Sequence, residues 1–384
     1  MTFHSSPKLF DIFFSFLRLG LTAFGGPAMV AYIKEVAVDK KNWVDKKTFQ
    51  EGVALAQAIP GATAMQVAAF VGLKTRGISG GIVSFTGFAL PSFIIMLILS
   101  TLYAKTYSLP SIIAIFKGLQ VIVVAIVANA FITFAKPIIK SKGEIFVSII
   151  SFVLFFLKFN PFLIIILCFL LSQIVFTDKT FVEKIPHRRF NFSGIFFLFM
   201  TFGIGISFIF FMDKTLFNLA VTMIKIDIFA FGGGYASLPL MLHEFVERLK
   251  WIDWKTFMDG IALGQVTPGP IVITATFVGY LLKGYLGAIV ATVSVFTPSF
   301  ILMSLAMEVS ERIKNSKSFI RAKRGLLASF SGLLLFATIK FAQELDWNLI
   351  KILMFSLCFA ALLKKVNILY IVLAAACLSI LLFN

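Results

Sequence analysis

Two stretches of the chain, WVDKKTFQEGVALAQAIPG at 43–61 and WIDWKTFMDGIALGQVTPG at 251–269, are copies of each other. Eleven of their nineteen positions are identical at a constant offset of 208 residues. Similarity at a fixed offset is the mark of an internal repeat. The chain is therefore predicted to consist of two homologous halves, each built around this stretch.

The similarity extends to both sides of these stretches. Upstream, AFGG occurs at 23–26 and again at 230–233, and downstream the pair Pro91-Ser92 corresponds to Pro298-Ser299. We place the first repeat at 1–192 and the second at 213–384, with about six membrane segments each. The apolar stretch 193–212 is left over and is predicted to be a connector span.

The composition places both repeats in a membrane. Of the 384 residues, 59% are hydrophobic and only 14% are charged, and the mean hydropathy is +0.97. A soluble domain has nearly twice this charged fraction, and a helix that crosses a bilayer needs about 20 apolar residues. The composition predicts an all-α, polytopic helical membrane protein and excludes a soluble enzyme.

The hydrophobic pattern gives about 10–13 membrane segments, some of them broken by glycine and proline. We read apolar segments at 9–33, 52–73, 80–103, 109–135, 145–157, 161–176, 193–212, 216–241, 260–282, 284–306, 325–343, 347–363 and 366–383. The loops between them are predicted at 34–51, 177–192, 243–259 and 307–323.

The net charge of +17 has a membrane explanation. The Lys and Arg residues lie mostly in short loops, as the positive-inside rule expects for cytoplasmic loops, so no nucleic-acid partner is expected. The loop charges do not separate inverted from parallel repeats. We favour inverted repeats, because inverted halves and broken helices occur together in secondary transporters.

The first candidate site element is the doubled FGG motif. FGGP at 24–27 and FGGG at 231–234 interrupt apolar segments. Consecutive glycines disfavour a continuous helix, and free backbone groups at membrane depth survive only beside protein or a water-lined cavity. Close helix packing through small residues is the alternative. Because the motif occurs in both halves, we favour a binding-site break at Gly25, Gly26, Pro27, Gly232, Gly233 and Gly234.

The second candidate element is a Pro-Gly step in QAIPGA at 57–62 and QVTPGP at 265–270. Such a step ends one helix, and the next helix presents unpaired N–H groups and a positive dipole end, which suit an oxyanion. A proline kink is the alternative. The candidate residues are Gln57, Pro60, Gly61, Thr63, Gln265, Thr267, Pro268, Gly269 and Pro270.

Arg18 and Lys225 occupy the same position of the repeat, six residues before the Phe of each FGG motif. A cation inside a membrane segment is costly and is a functional candidate by default. Together the two charges suit a dianion. The alternative is an ion pair of Lys225 with Asp227 and an Arg18 side chain that reaches the interface.

Enzyme motifs are absent from the sequence. It contains no GxxxxGK[ST], GxSxG or HExxH, and its three histidines and three cysteines are not at metal spacing. We therefore expect no enzymatic activity, no cofactor and no bound metal.

These motifs resemble the chromate ion transporter family in its two-repeat, long-chain form. The resemblance covers about 9–103 and 216–306 and is closest in FAFGGGYASLPL, GIALGQVTPGP and FTPSF. It implies that the glycines, prolines and glutamines named above belong to the substrate pathway. Ala62 departs from the pattern, because the second repeat has Pro270 at that place.

The resemblance implies an exporter of chromate or a sulfate-like oxyanion, in the inner (plasma) membrane of a prokaryote. We expect a multi-pass secondary transporter that works by alternating access and contacts the lipid bilayer. A sulfate or other anion exchanger, an uptake carrier, an anion channel and a membrane sensor remain alternatives. A homodimer is one option for its assembly.

Overall fold

The computed structural model describes residues 7–24, 28–177, 193–313 and 316–383. Over these residues the chain is helical and forms no β-strand, only an isolated bridge between Pro60 and Phe231. The predicted all-α class is confirmed.

The α-helices follow the predicted apolar segments closely. In chain order they are α1 (Leu9–Thr22), α2 (Ala28–Lys34), α3 (Lys46–Ala56), α4 (Thr63–Thr106), α5 (Pro110–Ile138), α6 (Lys142–Phe156), α7 (Pro161–Val175), α8 (Ser193–Met212), α9 (Lys214–Phe229), α10 (Ser237–Met241), α11 (Trp254–Val266), α12 (Thr274–Ile313), α13 (Lys317–Gln343), α14 (Leu349–Leu363) and α15 (Ile368–Phe383).

Among the described residues, five helical stretches are long and apolar enough to cross a membrane. They are Thr63–Thr106, Pro110–Ile138, Gly194–Met212, Ile271–Val309 and Lys317–Gln343. Three further apolar helices, α7, α14 and α15, are shorter. These features agree with the predicted polytopic membrane fold.

Helices α4 and α12 are each a hairpin of two antiparallel arms. The backbone leaves the helical conformation at Arg76 and Gly77 in α4, and at Lys283 and Gly284 in α12. Both glycines have positive φ, +63° and +59°, which glycine adopts without steric cost. The turns separate the segments that the sequence predicts on either side of them.

Small residues let the two arms of each hairpin pack closely. A Cβ atom on Gly72 would come within 2.2 Å of the Gly80 carbonyl, and one on Gly279 within 2.3 Å of the Gly287 carbonyl. In α4 the Ser84 hydroxyl also donates to the Ala68 carbonyl across the hairpin, at 2.8 Å. The repeat is therefore visible in structure as well as in sequence.

The predicted loops at 34–51 and 243–259 are too long. Residues 35–40 and 242–248 form π-helical turns that continue α2 and α10. Asp45 and Asp253 then cap the next helices, because each carboxylate accepts a bond from the N–H three residues on, Thr48 or Thr256. The sequence W-x-D-x-K-T-F thus marks a helix start in both repeats, while 178–192 lies outside the described residues.

The chain divides into two compact units that do not coincide with the sequence repeats. The first unit contains 1–98, 184–234 and 267–312, and the second contains 99–183, 235–266 and 313–384. Each unit thus holds parts of both repeats. The predicted boundaries at 192 and 213 remain a prediction about sequence.

The second unit is a helix bundle in which several buried polar groups bond to one another. Helix α13 packs against α5, α6 and α7, and α5 also packs against α14 and α15. The carboxylate of Asp259 accepts one bond from Gln120 and one from Tyr103, at 2.8 and 2.9 Å. Arg324 donates to Glu144 at 2.9 Å and forms an ion pair with it.

Candidate anion site at the helix breaks

The helices end and begin again around the predicted breaks, of which the one at 24–27 lies mostly outside the described residues. Helix α1 ends at Thr22 and α2 begins at Ala28, while α9 ends at Phe229 and helical turns resume at Gly234. Helix α3 ends at Ala56 and α4 begins at Thr63; α11 ends at Val266, and a 3₁₀ turn at Ile271–Ile273 leads into α12. Glycine and proline end these helices because they remove a donor or favour a non-helical backbone.

In the first unit, each Pro-Gly break is bonded to the opposite repeat. The Gly61 N–H donates to the Ala230 carbonyl at 2.9 Å, and the Gly269 N–H donates to the Ala23 carbonyl at 3.0 Å. Ala23 and Ala230 directly precede the two FGG motifs. The fold therefore brings the breaks of both repeats together.

No side chain fits at Gly61 or Gly269. Their φ angles are +115° and +103°, a region that residues with a Cβ rarely adopt. A Cβ on Gly61 would lie 2.0 Å from the Ser299 hydroxyl oxygen, and one on Gly269 would lie 2.1 Å from that of Ser92. Ser92 and Ser299 are equivalent in the repeat, so the two breaks are built alike.

Ser299, in the second repeat, lies in the middle of a chain of hydrogen bonds. The Ser299 hydroxyl accepts from the Ala62 N–H at 3.0 Å and donates to the Asp227 carboxylate at 3.0 Å. Both side chains are buried, with Asp227 1% and Ser299 0% exposed. This chain joins α9, α12 and the residue just before α4.

The first-repeat side lacks the same partners. Pro270 is equivalent to Ala62 in the repeat but has no N–H, and Gly20 is equivalent to Asp227. The buried Ser92 hydroxyl consequently has no hydrogen-bond partner among the described residues. The repeats are alike in backbone and different in polar chemistry.

Two helix starts flank the FGGG motif in the first unit. A Cβ on Gly233 would lie 3.1 Å from the Thr63 hydroxyl oxygen, and one on Gly234 would lie 3.2 Å from a methyl carbon of Ile271. Thr63 begins α4, and Ile271 begins the turn that leads into α12. The glycines bring backbone close to both helix starts.

The first N–H groups at these starts have no acceptor within the described parts of the chain. This holds for Thr63, Ala64 and Met65 in α4, and for Ile271 and Val272 before α12. All except the half-buried Thr63 are buried. Buried backbone donors need partners, and helix N-termini attract anions. The arrangement can therefore bind an oxyanion.

Not every N–H group of the breaks is available for a ligand. Those of Gly61, Ala62 and Gly269 already donate within the protein, as described above. Among the described residues, the N–H groups without an acceptor belong to the helix turns that follow the Pro-Gly steps. The glycines of the steps serve close packing.

The two predicted cations differ in their surroundings. Arg18 is exposed on α1, and Lys225 is half-buried on α9. The sequence-based alternative of an ion pair between Lys225 and Asp227 is not formed, because no cation of a described residue lies within ion-pair distance of that carboxylate.

The remaining predicted residues lie at several places. Gln57 is exposed at the end of α3, whereas the buried Thr267 contacts the Met96 sulfur at 3.7 Å. Gln265 is buried in the second unit, where its side-chain carbonyl accepts a long hydrogen bond of 3.5 Å from the Tyr235 hydroxyl. The breaks of the first unit contain the buried residues Pro60, Pro268 and Pro270 and the half-buried Gly232. Three further candidates lie outside the described residues, namely Gly25, Gly26 and Pro27.

Three polar residues were missed as site candidates in the sequence. Ser92 and Ser299 follow the matched prolines, and Gln66 lies in the apolar stretch just after the first Pro-Gly step. Gln66 is buried, and its amide donates to the Pro60 carbonyl. A polar residue at a matched place in an apolar run is the signal that could have identified them.

No metal centre is visible where the structure is described. No three His, Cys, Asp or Glu side chains among those residues form a group that could hold a metal ion.

The chain matches known proteins over nearly its whole length. A family model described as chromate transporter matches residues 10–173 and 217–380. An uncharacterized transporter of Methanocaldococcus jannaschii is 44% identical over 381 residues, 98% of this chain and 94% of that protein. Chromate transport proteins of Pseudomonas aeruginosa and Cupriavidus metallidurans are 26% and 28% identical, over 97% and 89% of this chain and 91% and 85% of their own lengths. No solved structure gives a significant match.

Proposed function

This chain belongs to the chromate transporter family, and we propose that it is a secondary transporter that exports chromate or a related tetrahedral oxyanion by alternating access. It lies in the plasma membrane of a prokaryotic cell as a multi-pass protein. Its two repeats have inverted orientations. The relatives named as chromate transport proteins support chromate as the substrate.

One observation carries the proposal: the unpaired N–H groups at the two helix starts beside the FGGG motif. Thr63, Ala64, Met65, Ile271 and Val272 offer backbone donors without acceptors among the described residues. A tetrahedral dianion has several acceptor oxygens and no need of acceptors from the protein. Helix dipoles add favourable charge at the same place.

The predicted cations complete this binding site. Arg18 and Lys225 neutralise the dianion on its path, since a divalent anion in a membrane needs opposite charge nearby. Thr63 adds a hydroxyl donor at the start of α4. Gly61 and Gly269 hold the two breaks together through the bonds to Ala230 and Ala23.

The membrane potential is enough to drive export. Each charge that crosses about 100 mV gains about 2.3 kcal/mol, so a dianion that leaves a negative interior gains roughly 4–5 kcal/mol. This free energy supports a concentration ratio of about a thousandfold for a dianion that crosses without a co-transported cation. Export therefore needs no ATP.

The test is chromate flux into proteoliposomes that contain the purified protein under an imposed potential. We expect saturable uptake that follows the potential and falls when excess sulfate competes. Lys225→Gln and Arg18→Gln are expected to lower the flux at least tenfold. Lys117→Gln, which removes an exposed lysine from α5, is the matched control and keeps wild-type flux.

Three outcomes contradict the proposal. Folded wild-type protein without chromate flux would remove chromate as the substrate. Unitary currents would indicate a channel instead of a carrier. Wild-type flux in both cation variants would remove Arg18 and Lys225 from the binding site.

A further inference from the structure

Asp227 is a buried carboxyl group that the proposed transport cycle does not yet use. Its side chain is 1% exposed, on a helix that ends two residues later, immediately before the FGGG break. One carboxylate oxygen accepts from Ser299 at 3.0 Å, and the other has no partner among the described residues. An ionised carboxylate in this setting is costly to bury, and a bound proton removes the cost.

Among the described residues, the groups around the Asp227 carboxylate supply no charge to it. On α12 the neighbouring group is the Ser299 hydroxyl, and at the first Pro-Gly break it is the backbone of Ala62, which donates to the same hydroxyl. On α9 itself Lys225 lies two residues earlier, outside ion-pair distance. A proton is therefore the cation that suits the free oxygen, since no three His, Cys, Asp or Glu side chains among the described residues form a group that could hold a metal ion.

The carboxyl group is connected to the candidate anion site by two hydrogen bonds. Asp227 binds Ser299, Ser299 binds Ala62, and Ala62 is followed directly by Thr63, the first residue of α4. A negative charge at Asp227 opposes an anion held at this helix start. Uptake of a proton by Asp227 removes this electrostatic repulsion. Because linkage is reciprocal, a bound anion must raise the affinity of Asp227 for the proton by the same factor.

We propose that the Asp227 carboxyl group takes up one proton when the oxyanion binds, so that the proton and the anion occupy the carrier together. The inference rests on the proposed function. The proton binds the carboxylate oxygen that lacks a partner, and the bond to Ser299 remains. Because Gly20 replaces Asp227 in the first repeat, that repeat has no carboxyl group at the equivalent position.

The comparison with Asp259 supplies a matched control. Both are buried aspartates in the second repeat, but both oxygens of Asp259 are bonded, to Gln120 and Tyr103. Asp259 has no oxygen left for a ligand proton. A substitution there tests the general effect of removing a buried carboxyl group.

The experiment measures chromate affinity of the purified protein against pH, together with proton uptake in a weakly buffered solution. Wild-type affinity is expected to fall about tenfold per pH unit once the carboxyl group is ionised. Asp227→Asn, which resembles the protonated acid, is expected to bind chromate without this dependence and without proton uptake. The titration of chromate itself is the same for both proteins and cancels in their comparison.

Asp259→Asn is expected to keep the pH dependence of the wild type. Replacing sodium by choline is expected to change nothing, and a sodium requirement would overturn the assignment of the cation. An unchanged pH dependence in Asp227→Asn, or its loss in Asp259→Asn as well, would overturn the role of Asp227. Wild-type protein that neither binds nor transports chromate would instead contradict the proposed function.

Ser299→Ala keeps the inference testable if Asp227→Asn does not fold. It leaves the carboxyl group in place but removes the donor that stabilises its ionised form. The fall in chromate affinity is expected to move to higher pH. An unmoved transition would overturn the inference.

Discussion

Ser92 and Ser299 occupy the same position in the two repeats, yet Ser299 alone has hydrogen-bond partners among the described residues. Ser299 links Ala62 to Asp227, whereas Ser92 faces Gly269 with no partner among the described residues. The backbone around both serines is the same, with a glycine at positive φ against each hydroxyl. The duplicated fold has thus kept its geometry while its polar chemistry has diverged.

The strongest way to test this difference is to place a methyl group at each glycine. Gly61→Ala is expected to lower the free energy of unfolding by about 3–5 kcal/mol, through backbone strain and a clash with a hydroxyl fixed by two bonds. Gly269→Ala is expected to lower it by about 2–3 kcal/mol, since the unbonded Ser92 hydroxyl can turn aside. Thermal and denaturant unfolding in detergent measures both.

Equal losses in the two glycine variants would contradict the asymmetry. Gly77→Ala and Gly284→Ala are controls for the strain alone, because a Cβ at either turn would meet no atom within 4 Å. Their losses should be equal and smaller.

Removal of the serine hydroxyls is expected to have the next largest effect on the free energy of unfolding. Ser299→Ala leaves the Asp227 carboxyl group and the Ala62 N–H without their partner, and we expect a loss of about 1–3 kcal/mol. Ser92→Ala removes a hydroxyl that has no partner, and a change within about 0.5 kcal/mol is expected. The same unfolding measurement separates the two.

A loss above about 1 kcal/mol in Ser92→Ala would show that Ser92 has a partner after all. Pro270→Ala sharpens the result, because it returns an N–H at the position equivalent to Ala62. Ser92→Ala is then expected to become costly in the Pro270→Ala background.

The smallest expected difference between the two repeats is at the hairpin turns, where it concerns the acid dependence of stability. Lys283 donates to Asp213 at 2.6 Å, while its counterpart Arg76 donates to the carbonyl of Pro7. The bond from Lys283, with the N–H groups of Leu216 and Thr215, lowers the pKa of Asp213 to about 2. Because this folded-state pKa lies below the unfolded value of about 3.9, the stabilisation is present above that value and is lost as the pH falls toward 2.

Lys283→Met is therefore expected to flatten the fall in melting temperature between about pH 4 and pH 2. Arg76→Met is the control and should leave this acid dependence as it is in the wild type. An acid dependence that is identical in all three proteins would contradict the role of the Asp213–Lys283 pair.

The sequence predicts the fold well because the signals for it are local. Apolar runs set the helices, and the glycines and prolines at 57–62, 231–234 and 265–270 interrupt them at the predicted places. The two matched halves also follow directly from the repeat. Loop lengths are less accurate, because the π-helical turns after α2 and α10 carry charged residues and resemble loops in composition.

The partners at the breaks could not be predicted, since they depend on contacts between distant segments. Nothing local in the sequence shows that Gly61 donates to Ala230, or that Ser299 lies between Ala62 and Asp227. Lys225 and Asp227 are close in sequence, but residues two apart on a helix do not face each other, and the structure forms no ion pair between them. The substitution of Pro270 for Ala62 is visible in the sequence, but its effect on Ser92 requires the fold.

The bond between Ala62 and Ser299 also bears on how the protein is made. The two residues are 237 positions apart, and ribosomes add about 5–20 residues per second, so Ser299 emerges roughly 10–50 s after Ala62. During this interval the first break enters the bilayer with a backbone donor that has no final acceptor. The hydrogen bond between Ala62 and Ser299 therefore forms late, after most of the chain has been made.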